Sequence, residues 1–137
     1  MDKVNERAYG KINLSLDVLG RRANGYHDVS MVMQTVDLYD VITLRKLSDR
    51  DEIILTKDVD NIPLDEGNIV YKAIKLIKEE YGIDIGVSAD IKKHLPVAAG
   101  MGGGSADAAA TLRGMNTLFG LGIKSERLEE LGVRLGA

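Results

Sequence analysis

The sequence predicts one α+β domain. Three observations lead there: alternation of apolar and polar residues marks several short strands, apolar residues at helical spacing mark three helices, and the two are mixed without regular strand–helix–strand alternation. The chain has 137 residues, within the usual range of a single domain, and its 45% hydrophobic content is ordinary for a globular core. Residues 1–137 therefore read as one unit, with no internal repeat, low-complexity tract or interdomain linker.

Taken in order, Ile12, Leu14, Leu16 and Val18 alternate with Asn13, Ser15 and Asp17, the period of a half-buried strand that ends at Gly20. Arg21 to Tyr26 is rich in turn residues, and Val29 to Val36 is β-branched enough for a second strand. Shorter strands are expected near Val41 to Arg45 and Glu52 to Thr56, then a loop from Asp58 to Gly67, which holds Asn61, Pro63 and several acids. Asn68 is placed to cap a helix from Ile69 to about Tyr81. Ile69, Ala73, Leu76, Ile77 and Glu80 share one face of it, and Gly82 stops it. Ile85, Val87, Ala89 and Ile91 alternate as a further strand, Ser105 to about Phe119 reads as a helix, and so does Ser125 to Leu135.

Between the last strand and the Ser105 helix lies the most unusual stretch, Pro96-Val97-Ala98-Ala99-Gly100-Met101-Gly102-Gly103-Gly104-Ser105-Ala106. Glycines there let the backbone approach a ligand closely, and the free N–H groups of the following helix's first turn suit an anion such as the phosphates of ATP. The alternative is a tight turn with no ligand, but glycines cost the free chain roughly 0.5–1 kcal/mol each relative to alanine. Two known patterns fail. A dinucleotide fingerprint starting at Gly100 needs glycine where Ser105 stands, and no clear parallel βαβ unit surrounds it. A Walker loop needs Ser or Thr after Gly-Lys, and Gly10-Lys11 is followed by Ile12.

The run from Pro96 to Ala109 resembles the ATP-binding motif of the GHMP kinases. Ala8-Tyr9-Gly10-Lys11-Ile12-Asn13-Leu14 and Gly20-Arg21-Arg22-Ala23-Asn24-Gly25-Tyr26-His27 narrow the likeness to members acting on a cytidine-diphosphate-linked methylerythritol in the non-mevalonate isoprenoid pathway. The resemblance implies the ribosomal protein S5 domain 2-like fold and an ATP-dependent transfer to the substrate's 2-hydroxyl, with Mg²⁺ neutralising the phosphates. It also implies an N-terminal portion alone. Enzymes of the family continue into a second domain, and their catalytic aspartate follows a Gly-Ala pair, whereas this chain stops at Gly136-Ala137. Little or no kinase activity is expected of these residues by themselves.

The resemblance assigns roles residue by residue. Lys11, alone a solvated strand lysine, becomes an electrostatic partner beside the acceptor hydroxyl, and Asn13, on the same strand face, a substrate contact. Tyr26 and His27 are either loop anchors or, by the likeness, the walls of a cytidine pocket. Asn68, Lys93 and His94 fall at the adenine end of ATP, and the cradle runs from Pro96 to Ala106. Each has an ordinary alternative: Lys93 as a solvated charge before a loop, Ser105 as a helix cap, and Asp107 as an acid stabilised by the helix dipole. Two other readings stay open: a module that only binds nucleotide, and a GHMP kinase acting on another small alcohol.

Composition narrows the partners. There is no cysteine, hence no disulfide or thiolate metal site, and the two histidines, His27 and His94, are too isolated to make a metal cluster. The balance of 18 basic against 21 acidic residues gives −3, and no basic stripe is evident, which disfavours RNA as a partner. The apolar runs are too short to span a membrane, and Met1 to Arg7 lacks the apolar core of a secretory signal, so a cytoplasmic location is expected. Oligomeric state leaves no mark in the sequence.

Overall fold

Residues 1–9, 39–57, 66–94 and 103–136 are described by the computed structural model. In chain order they form β1 (Lys3–Tyr9), β2 (Tyr39–Leu47), β3 (Ile53–Lys57), α1 (Ile69–Tyr81), β4 (Gly86–Lys92), α2 (Gly103–Leu118) and α3 (Ser125–Arg134). The strands expected over 12–18 and 29–36, and most of the 58–67 loop, lie outside the described residues.

The sheet has the order β1-β2-β4-β3. β1 pairs antiparallel with β2, β2 antiparallel with β4, and β4 parallel with β3. The last pairing corrects one expectation: β3, α1 and β4 are a βαβ unit, and the glycine segment follows its second strand. The sequence conceals it because β3 is only five residues long and its partner also pairs antiparallel on the other side. The mixed sheet keeps the fold α+β.

The pairing puts Ile42 opposite Glu6 and Ile91, and Leu44 opposite Val4 and Ala89. These residues share the face on which α2 packs against β1 and β2, with α1 against α2 and β3. Ile42, Leu44, Val87, Ala89 and Ile91 are buried there with Ile74 and Ile77 of α1 and Met115 and Leu118 of α2. Gly114 lets α2 sit close, because a Cβ at that position would stand 2.7 Å from Leu44 Cδ1. The opposite face gathers Lys3, Arg7, Arg45 and Lys92 beside Asn5, Thr43 and Asp90. The basic stripe missing from the linear sequence is thus assembled by strand pairing.

β1 was not among the expected strands. Its inward positions are Val4 and Glu6, half-buried, and Ala8, buried, so a charge interrupts the apolar phase. Glu6 is accommodated by Arg113 of α2, whose Nε donates to it at 3.2 Å while a second nitrogen donates to the Arg7 carbonyl at 3.1 Å.

α1 runs over the expected residues because its ends are chemically marked. Asn68 Oδ1 accepts the Val70 N–H at 2.8 Å, and Gly82 takes a left-handed φ of 63° while its N–H returns to the Lys78 carbonyl. Its apolar face ends on Glu80, which receives Arg127 at 3.0 Å and Arg134 at 2.7 Å from α3. α2 begins at Gly103, ahead of the expected start, which leaves Ser105 inside the first turn rather than at the cap. No helix among the described residues is long and apolar enough to cross a membrane.

Candidate functional site

Where β4 ends, the alternation that turns Val87, Ala89 and Ile91 inward continues to Lys93. In β2 the same phase, set by Ile42 and Leu44, turns Asp40 inward. Since Val41 pairs with Lys92, the next residues along the ladder bring Asp40 and Lys93 together. α2 lies over this end of the sheet and supplies Asp107, one helical turn in from its start.

The three side chains form a cluster almost sealed from water. Lys93 Nζ donates to Asp40 Oδ2 at 2.6 Å and to Asp107 Oδ2 at 2.9 Å. Side-chain exposure is 7% for Lys93, 0% for Asp40 and 5% for Asp107. Asp40 Oδ1 accepts the His94 backbone N–H at 2.7 Å, which fixes the residue after the lysine. The remaining carboxylate oxygen, Asp107 Oδ1, is buried with no hydrogen-bond partner.

The electrostatics follow from burial: two acids and one cation converge where water screens them little. Burial, reinforced by the neighbouring Asp40 carboxyl and only partly opposed by Lys93, pushes the Asp107 carboxyl up to about 8. Burial pulls the Lys93 ammonium down, but its two carboxylate hydrogen bonds outweigh that and raise it above its ordinary value.

Around the cluster, the Tyr39 ring meets His94 edge-on at 6.4 Å and Tyr9 at 5.1 Å, with the Arg7 guanidinium 4.8 Å over its centre. Asn68 stands at the start of α1, its Oδ1 engaged in the cap. Of the residues singled out from sequence, Asn68, Lys93, the backbone of Gly103, Gly104 and Ser105, and Ala106 are described; Lys11, Asn13, Tyr26, His27 and Pro96 to Gly102 lie outside the described residues. Two ordinary readings change. Lys93 is not a solvated charge, and Asp107 is not explained by the helix dipole alone, because both are buried in one ion cluster. Asp40 went unremarked, although its phase with Ile42 and Leu44 marks it as inward-facing.

Chemically, the cluster ties the end of β4 to the first turns of α2, joining the two elements that flank the glycine segment in sequence. Among the described residues, no three His, Asp or Glu side chains converge to hold a metal ion.

Comparison with known proteins agrees with the geometry. The family GHMP kinases N terminal domain matches residues 68–137. A protein of Lachnospira eligens named 4-diphosphocytidyl-2-C-methyl-D-erythritol kinase is 51% identical over 137 residues, covering 100% of this chain and 47% of its own length. A protein of the same name from Clostridioides difficile is also 51% identical, with 100% and 46% covered. The chain therefore spans about half the length of these curated relatives. Among solved structures, homoserine kinase from Cytophaga hutchinsonii superposes with a TM-score of 0.76 at 21% identity, over 98% of this chain and 41% of that one, a likeness of fold.

Proposed function

We propose, from the premise that this chain belongs to the GHMP kinases, that residues 1–137 are the ATP-binding N-terminal domain of a kinase. The transfer is of the γ-phosphoryl group of ATP to the 2-hydroxyl of 4-diphosphocytidyl-2-C-methyl-D-erythritol, in isoprenoid biosynthesis in the cytoplasm. The observation that carries the reading is 51% identity across all 137 residues to proteins named for that substrate.

In this reading the segment from Pro96 to Ala106 cradles the phosphates, with the first turn of α2 supplying N–H donors and the positive end of the helix dipole. Asn68 and Lys93 flank the nucleotide. Lys11 stabilises charge on the transferring oxygens, Asn13 contacts substrate, and Tyr26 with His27 holds the cytosine. Positioning and charge stabilisation dominate such a transfer. Magnesium is assigned to the nucleotide's own phosphates, because the buried carboxylate pair of the described residues is already filled by the Lys93 ammonium.

The test is a backbone amide NMR titration of this chain, first with a non-hydrolysable ATP analogue and Mg²⁺, then with the cytidine-diphosphate-linked alcohol. Shifts centred on Gly100 to Ala106 in the first step, and on Gly25 to His27 in the second, are expected. A well-dispersed spectrum that ignores both ligands would overturn the reading.

A further inference from the structure

We propose that the open face of the sheet, the side turned away from α2, is a binding surface for single-stranded nucleic acid. The inference is independent of the kinase reading and uses none of the side chains assigned there to ATP or to the alcohol.

Strand pairing sorts this face into rows. Lys3 stands beside Arg45, Thr43 lies between Asn5 and Asp90, Val41 lies between Arg7 and Lys92, and Tyr9 stands beside Tyr39. The two cation rows are four residues apart along β2, about 14 Å. Lys3, Arg7, Arg45 and Lys92 are exposed, and they line a cleft of about 660 Å³ in which Asp90 is the one acid. Four cations thus meet one carboxylate on a chain whose overall charge is −3, so the positive field belongs to this face and not to the composition. Among the described residues, no ion pair engages Lys3, Arg45 or Lys92. Asp90 is engaged sideways, where its Oδ1 accepts the Thr56 hydroxyl at 2.7 Å. Thr43 donates to Asn5 Oδ1 at 2.7 Å, which points the Asn5 amide donors at a ligand.

The aromatic row decides which polyanion fits. Tyr9 is 39% exposed, and its ring lies 5.1 Å from that of Tyr39. The Arg7 guanidinium covers Tyr39 at 4.8 Å and donates to the Tyr9 hydroxyl at 3.2 Å. A phenol ring and a guanidinium plane, held side by side over a third ring, are surfaces on which unpaired bases stack. The cation rows beyond them then meet the phosphates. An acidic peptide would use the cations and leave the rings idle. An anionic membrane needs apolar side chains to insert, and the cleft offers Val41 as its one aliphatic residue. A duplex keeps its bases paired and away from the rings.

Fluorescence anisotropy with a labelled oligouridylate of about twelve nucleotides tests the surface on this chain. Binding is expected to weaken with salt, the slope of log K against log salt being about −2 to −3, because each phosphate contact on a single strand contributes about −0.7. The double reversal K3E/R45E should cut affinity roughly tenfold or more and flatten the slope by about 1.4. K72E/K124E makes the same change of net charge at exposed positions off this face and should alter affinity by no more than about twofold. Y9L should weaken binding roughly fivefold with the slope unchanged, since stacking releases no counterions. Annealing the probe to oligoadenylate should weaken binding as well. Dispersed amide spectra of each variant separate lost binding from lost fold. Absence of binding by the folded chain at low salt would overturn the proposal. So would equal losses in the two double variants, which would reduce the effect to bulk charge, or displacement of the probe by excess AMP-PNP, which would place it in the nucleotide site. Equal affinity for the duplex, with Y9L silent, would overturn the preference for a single strand.

Discussion

β4 has a buried lysine amine at each end, and the two are built differently. At the entry, Lys78 of α1 donates to the Ile85 carbonyl at 2.7 Å and to Asp51, whose side chain is 55% exposed. At the exit, Lys93 lies between two carboxylates that are at most 5% exposed. One cation and one hydrated acid balance without help, because water carries part of the acid's solvation. Two dehydrated acids on one cation lack that help, and burial pushes the Asp107 carboxyl up to about 8. The entry is a scaffold joint that tolerates charge loss; the exit is a charged joint where the chain turns into the glycine segment.

The sharpest way to break this contrast is K93M. It removes the ammonium that bridges the buried Asp40 and Asp107, and the expected cost is about 3–5 kcal/mol in urea unfolding at pH 7. The cost should shrink toward acid pH. Burial already holds the Asp107 carboxyl above its unfolded value, and losing Lys93 raises it further, so stability is retained below the unfolded value and lost as pH rises through the folded one. The His94 amide, bonded to Asp40 Oδ1, should lose hydrogen-exchange protection in the same variant. A cost below about 1 kcal/mol would mean that water reaches the carboxylates and that the two joints are alike.

G86A attacks the other end by packing rather than charge. A Cβ on Gly86 would stand 2.4 Å from the Arg50 carbonyl oxygen and 2.8 Å from Glu52 N, backbone atoms that cannot rotate away. The same backbone is held by Gly86 N–H to Arg50 O and Val87 N–H to Glu52 O, both at 2.8 Å. A loss of about 1–3 kcal/mol is expected, with His94 exchange unchanged relative to global stability. Selective loss of His94 protection in G86A would show that the two ends of β4 are one cooperative joint.

The ends differ as well in how far the sequence discloses them. α1 was legible to both termini because Asn68 and Gly82 act on backbone groups within four residues. The exit cluster was legible only in pieces. Alternation alone turns Asp40 inward with Ile42 and Leu44, and Lys93 inward with Val87, Ala89 and Ile91. What the sequence did not disclose is the β2–β4 register, which makes them neighbours, and the seat of α2, which adds Asp107. β1 was missed because its inward Glu6 breaks the apolar phase and is reconciled only by Arg113, 107 residues away. The glycine segment stands out by composition alone, whereas the ion cluster of Asp40, Lys93 and Asp107 is a product of tertiary pairing.

The smallest effect is expected at Lys78, and its salt dependence separates the joints. K78M keeps the length of the buried stem, removes the donor to Ile85 O and leaves Asp51 in water, so the cost should be about 0.5–1.5 kcal/mol. Part of that cost is an ion pair with a solvated partner, and 1 M salt, with a screening length of about 3 Å, should remove that part. The K93M cost arises where counterions do not reach and should persist in the same salt. Parallel measurement of both variants at low and high salt therefore tests exposure itself as the cause of the difference. If the two costs fell by the same fraction, the exit cluster would behave as a surface pair, and burial would not be what raises the Asp107 carboxyl.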